Sequence, residues 1–122
     1  MVELIVRMSR RYGMTITLEG IECRKVRSVK RAANRQWPLE EWDYRSGTLS
    51  SYAESDLAGG ETEEEFTDRI AAAVWGANRA YCAVHVDATY LEELPYESHM
   101  RDENDYKAWL KKIKETKGRR RS

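Results

Sequence analysis

The 122-residue sequence holds only two cysteines, two histidines, two prolines and one phenylalanine. With Cys23 and Cys82 far apart and no CxxC, there is no disulfide framework and no cysteine metal knuckle. Each cysteine sits in an apolar alternation, which reads as two buried thiols in a reducing, cytoplasmic protein. His85 and His99 stand at neither zinc-finger nor HExxH spacing, so neither a metal nor a cofactor is expected. No apolar run approaches the roughly 20 residues that cross a bilayer, so no membrane partner is expected. The start, MVELIVRMSRR, places its apolar stretch before its charge, the reverse of a signal peptide. GxSxG, GxGxxG and GxxxxGK[ST] are all missing, which removes the nucleophile elbow and the glycine-rich phosphate loops.

Charge and large aromatics are abundant. Charged residues make up 34% of the chain, and four tryptophans and seven tyrosines supply the surface that a single modest core requires. The net charge is zero, but its distribution is not even. Residues 1–36 carry nine Lys/Arg against three Asp/Glu, residues 37–106 four against seventeen, and residues 107–122 eight against one. Such blocks either pair within the molecule or steer a charged partner.

The periodicity predicts an α+β fold: an antiparallel sheet of about four strands, a central amphipathic helix packed on one face, and a C-terminal helix. Val2, Leu4, Val6 and Met8 alternate, as do Met14, Ile16 and Leu18, with Arg10-Arg11-Tyr12-Gly13 between them as a hairpin turn. Ile21 and Cys23 extend a strand. Val26, Val29, Ala33 and Trp37 follow at helical spacing up to Pro38, with Ser28 a candidate cap. A turn at Ser46-Gly47 leads to a strand over 48–54, and residues 56–60 form a loop. Thr62 and Glu65 make a capping box for a helix whose Phe66, Ile70, Ala73, Val74 and Ala77 form its apolar stripe. Asn78-Arg79 closes it. Cys82, Val84, Val86 and Ala88 form the inward side of the next strand. Leu94-Pro95-Tyr96 breaks the pattern, and Asp102 caps a last helix with Tyr106, Trp109, Leu110 and Ile113 on its apolar side. Residues 1–115 then form one domain, and 116–122 a disordered basic tail.

Two constellations bear on chemistry. His85 and Asp87, two apart on one strand, point to the same face as Tyr81 and Thr89, where a carboxylate can orient an imidazole for general-base work. Arg24, Arg27, Arg31 and Arg35 fall at spacings of three and four, one basic stripe on a helix. With Lys25, Lys30 and the tail they suit phosphate binding. Trp37, Trp42, Tyr44, Tyr52, Tyr90 and Tyr96 are candidate interface anchors.

The motifs EEEF, AVWGAN, YCAVHV and TYLEELPYE, spanning Glu61 to Glu97, resemble segments of small uncharacterised bacterial and prophage proteins. That resemblance implies a non-enzymatic protein of phage or mobile-element type that binds and occludes a host protein or nucleoprotein, in the manner of an anti-defence or anti-CRISPR inhibitor. The alternative is a nucleic-acid binder using the 24–35 arginines and the tail. The third expectation is an enzyme centred on His85 and Asp87. A homodimer is compatible with each.

Overall fold

Alternation builds the central strand. Tyr12, Met14, Ile16 and Leu18 are all buried on one side of β1 (Arg10–Glu19). A 3-10 turn (Cys23–Lys25) and α1 (Val26–Asn34) follow, then β2 (Glu40–Arg45), β3 (Thr48–Leu57), α2 (Glu63–Asn78), β4 (Ala83–Tyr90), β5 (Glu97–Arg101) and α3 (Glu103–Arg121). This computed structural model describes residues 10–57, 59–91 and 97–121. The strands form one antiparallel five-stranded sheet in the order β2-β3-β1-β4-β5, so the molecule is α+β, with one strand more than the sequence suggests.

α1 and α2 cover one face of the sheet. Val29 and Ala33 of α1, and Phe66, Ile70, Val74 and Trp75 of α2, join the inward residues of β1, β3 and β4 in a single core. Trp37 seals one side of it. Its indole N–H donates to the Ala53 carbonyl (3.0 Å), and its ring meets Phe66 edge-on at 5.0 Å. The other sheet face carries Thr15, Thr17, Tyr52, His85 and Asp87, cross-strand neighbours pointing away from these helices.

Local chemistry sets the helix ends. Thr62 Oγ1 accepts from the Glu65 N–H, and the Glu65 carboxylate accepts from the Thr62 N–H, completing the expected capping box. Arg79 closes α2 in the left-handed region at φ 58°. Asp102 and Asp105 make the same reciprocal exchange at the start of α3. The turn between β2 and β3 is Ser46-Gly47, both at positive φ, as a tight hairpin requires.

Several expectations are corrected. Arg10–Gly13 is no turn. It is the first part of β1, and residues 2–8 lie outside the described residues. Gly13 instead lets the Tyr52 ring lie across the strand, because a Cβ there would collide with the Tyr52 hydroxyl. Cys23 is exposed in the 3-10 turn, while Cys82 is buried as expected. Ser28 lies inside α1, its hydroxyl donating to the Lys25 carbonyl. Asp56 and Leu57 extend β3 rather than open a loop, and the α3 backbone is helical through Arg121. Ile113 is 37% exposed, whereas Tyr106 and Trp109 pack against Trp75. The Leu94-Pro95-Tyr96 break lies outside the described residues.

Gly13→Ala is expected to cost about 1 kcal/mol by pushing Tyr52 off its rotamer. In a Tyr52→Ala background the same change becomes neutral or stabilising, since Ala is favoured over Gly within a strand. Urea unfolding of the four proteins of that cycle checks this; an equal cost in both backgrounds contradicts it.

Candidate functional site

α1 presents its small apolar residues to the core and its cations to solvent. Val29, Ala32 and Ala33 are buried, while Arg27, Ser28, Arg31, Asn34 and Arg35 are exposed. The first turn of α1 has no acidic residue. Cations at the positive end of a helix are unfavourable, and so are like charges four residues apart, as in Arg27/Arg31 and Arg31/Arg35. Nothing nearby relieves this. Among the described residues, Arg27, Arg31, Arg35 and Arg79 make no ion pair.

The beginning of α1 meets the end of α2. The Lys25 ammonium donates to the Asn78 carbonyl (2.9 Å), complementing the negative end of α2. Beside this contact lies a cleft of about 460 Å³, walled by Lys25, Ser28, Arg31, Arg35 and Arg79 over Gly76 and Ala77. Four cations from two segments line it, and no carboxylate does. A second recess of about 220 Å³ shares Lys25 and Arg79 and adds Arg24, Glu22 and Tyr81. Arg24 is tied to Glu22 at 2.7 Å there.

The structure therefore gathers Arg31 and Arg35 into one cleft, sets Arg24 in the adjoining recess, and leaves Arg27 outside both. Lys25 and Arg79 complete the arrangement. Arg79 is 44 positions beyond Arg35, and only the packing of α1 along α2 reveals it as a partner.

The acidic block is engaged elsewhere. Glu61 pairs with Arg69 (2.8 Å), and Glu64 and Asp68 both hold Arg101 (2.6 and 2.7 Å). His99 on β5 lies between two carboxylates of the first turn of α2. Its Nδ1 is 2.6 Å from Glu64 and its Nε2 2.8 Å from Glu63, and its side chain is only 9% exposed. Both nitrogens donate only in the imidazolium form. Burial works against that charge, but the hydrogen bonds to Glu63 and Glu64 outweigh it, and the pKa of His99 is raised. The Tyr12 hydroxyl donates to the other Glu63 oxygen (2.6 Å), and burial followed by this carboxylate pushes Tyr12 upward. Arg101, then His99, holds Glu64 below its usual range. Of the ion pairs described, only the exposed Arg11–Asp56 contact, at 3.8 Å, joins the basic N-terminal block to the acidic one.

His85 and Asp87 do share a face, with Nε2 and Oδ1 3.2 Å apart, though His85 is not aligned to hydrogen-bond its neighbour. The Ser98 hydroxyl donates to the same Asp87 oxygen. Neither residue lines the two clefts. Tyr81 lines the smaller recess and packs against Tyr106, their rings 5.9 Å apart. Burial raises the pKa of the Cys82 thiol to about 12, leaving it protonated at neutral pH. Among the described residues no three His, Cys, Asp or Glu side chains converge as metal ligands, and no helix is long and apolar enough to cross a membrane. The proposed aromatic anchors are mostly core. Trp37 is buried, Trp42, Tyr44 and Tyr90 are packed against it, Tyr52 is 37% exposed, and Tyr96 lies outside the described residues.

The His99 clamp makes stability pH-dependent. A raised histidine contributes fully below its ordinary value of 6.5 and loses that contribution as pH rises through its folded value. The lowered Glu64 contributes above its ordinary 4.5 and is lost as pH falls. Stability is expected to peak between these limits and to decline on the alkaline side, and His99→Gln should flatten that decline. Chemical unfolding across pH checks it, and a wild-type profile matching that of His99→Gln contradicts it. Comparison with protein-family models, curated proteins and solved structures finds no match, so no site is carried over from a relative.

Proposed function

We propose that this protein is a non-enzymatic binding module that engages the phosphates of a nucleic acid, free or within a nucleoprotein, through the cleft between α1 and the end of α2. The observation that carries the reading is the convergence of Lys25, Arg31, Arg35 and Arg79 on one cleft that no carboxylate lines. An anionic partner relieves the repulsion along α1 and replaces counterions held near it, which is the usual source of affinity for phosphate backbones. Arginine suits this role because its planar fork meets phosphate oxygens in pairs. Zero net charge does not oppose it, since Glu61, Glu63, Glu64 and Asp68 around α2's first turn are engaged by Arg69, His99 and Arg101.

The sequence resemblance points to a protein of mobile-element type that occludes a host component. A host nucleoprotein offers phosphate, so occlusion of its nucleic-acid path is the biological form this binding takes. The polar sheet face bearing His85 and Asp87 supports no reaction as well as the cleft supports binding: the two side chains are misaligned and Asp87 is taken by Ser98.

Fluorescence anisotropy with a labelled mixed-sequence oligonucleotide tests the reading. Wild-type protein should bind with an affinity that falls steeply as salt rises. Reversing both Arg31 and Arg35 to Glu should weaken binding at least about tenfold and flatten the log–log salt slope by roughly 1.4–1.8, the effect of two lost phosphate contacts. Unchanged binding by that variant, or binding insensitive to salt, overturns the proposal.

A further inference from the structure

The cationic cleft does not end at Arg79. It adjoins the smaller recess, which shares Lys25 and Arg79 and reaches Tyr81. Resting on the phosphate-binding reading above, we infer that the ligand is a single strand, its phosphates held by Arg31, Arg35 and Arg79 and one unpaired base stacked on Tyr81. Two observations and one physical argument support this.

First, the track has a chemical polarity. Its Arg31–Arg35 end is purely cationic, those side chains being one helical turn, about 6 Å, apart along α1. At its Tyr81 end the Glu22 carboxylate engages Arg24, and an aromatic ring joins the lining. A phosphate is favoured at the first end, and the second adds a ring that a neutral aromatic base can meet. Second, Tyr81 is positioned rather than floppy. It stands just before β4, half-buried, with its ring tilted at 59° against Tyr106, and Tyr106 in turn meets Trp75 edge-on. A ring held in place by a neighbouring aromatic suits a stacking platform. Third, a base inside a duplex presents no free face to such a ring. Unpaired bases present theirs to any aromatic, so the recess selects strandedness and not sequence.

The test compares a labelled oligothymidylate with a mixed-sequence duplex of equal phosphate number, by anisotropy at several salt concentrations. The proteins are wild type, Tyr81→Phe, Tyr81→Leu and the Arg31→Glu/Arg35→Glu double variant. Tyr81→Leu keeps an apolar side chain against Tyr106 while removing the π face, and thermal melts confirm that each variant is folded. The single strand should bind more tightly than the duplex. Tyr81→Leu should weaken single-strand binding roughly tenfold with an unchanged salt slope, Tyr81→Phe should preserve it, and duplex binding should not respond to either. Equal affinity for duplex and single strand, or a Tyr81→Leu protein that binds oligothymidylate as wild type does, overturns the inference. If in that case the arginine reversals still abolish binding, the cleft remains the phosphate site and only the stacking role falls. If they too have no effect, the underlying reading falls with it. Displacement of the oligonucleotide by polyglutamate as readily as by unlabelled strand counts against both, pointing to an acidic peptide instead.

Discussion

The acidic first turn of α2 is the interaction on which the rest of the molecule depends. Its three consecutive glutamates, Glu63, Glu64 and Glu65, sit at the positive end of the helix, where carboxylates are favoured, and each has its own task. Glu65 completes the cap with Thr62. Glu63 receives the Tyr12 hydroxyl from the central strand and one nitrogen of His99 from the edge strand. Glu64 receives the other nitrogen and Arg101. β5 thereby joins the sheet with charge where other strands use apolar burial, and the clamp is part-buried, where hydrogen-bonded ion pairs count for more than on an open surface.

This arrangement also bears on how the charge blocks relate. Carboxylates engaged by His99, Arg69 and Arg101 are not available to the arginines of α1, so electrical neutrality of the whole chain coexists with an unopposed basic helix. α2 has a part at both of its ends. Its acidic start holds the sheet edge, and its carbonyl end receives Lys25 and places Arg79 beside Arg31 and Arg35. A cationic cleft at a helix C-terminus is consistent physically, because cations are stabilised there. The outer cations of α1 have no such support, and in the proposed function a phosphate-bearing partner supplies it.

The sequence was legible where apolar periodicity decides structure. α2 with its capping box, β4 and the buried side of β3 follow directly from spacing, because one face of each must be apolar. β5 was not legible: Glu97–Arg101 has no apolar alternation, and its inward residue is a histidine held by carboxylates distant in sequence. β2 escaped for a related reason. Only Trp42 and Tyr44 face inward, and the strand is interrupted where the register shifts and Glu41 takes φ 55°. Gly13 was misleading because a glycine between two alternating runs looks like a turn, whereas here it makes room for a side chain from the neighbouring strand. Trp75 was passed over because the residues that cover it, Tyr106 and Trp109, come from a helix thirty residues later. The arginines at 24, 27, 31 and 35 were visible as a stripe. Their division between two clefts, and the contributions of Arg79 and Tyr81, depend on how α1 lies along α2, which no local pattern encodes.

The surface formed by α1 and the segment after α2 is the proposed binding site for a nucleic-acid strand. The most direct measurement is a titration of isotope-labelled protein with oligothymidylate, followed by amide and arginine side-chain chemical shifts. Binding there gives saturable shifts confined to Lys25–Arg35, Gly76 and the Arg79–Tyr81 segment, with the sheet face around Thr17, His85 and Asp87 unmoved. Shifts centred on that sheet face, with α1 silent, would contradict it and return the polar face to consideration as the working surface of the protein.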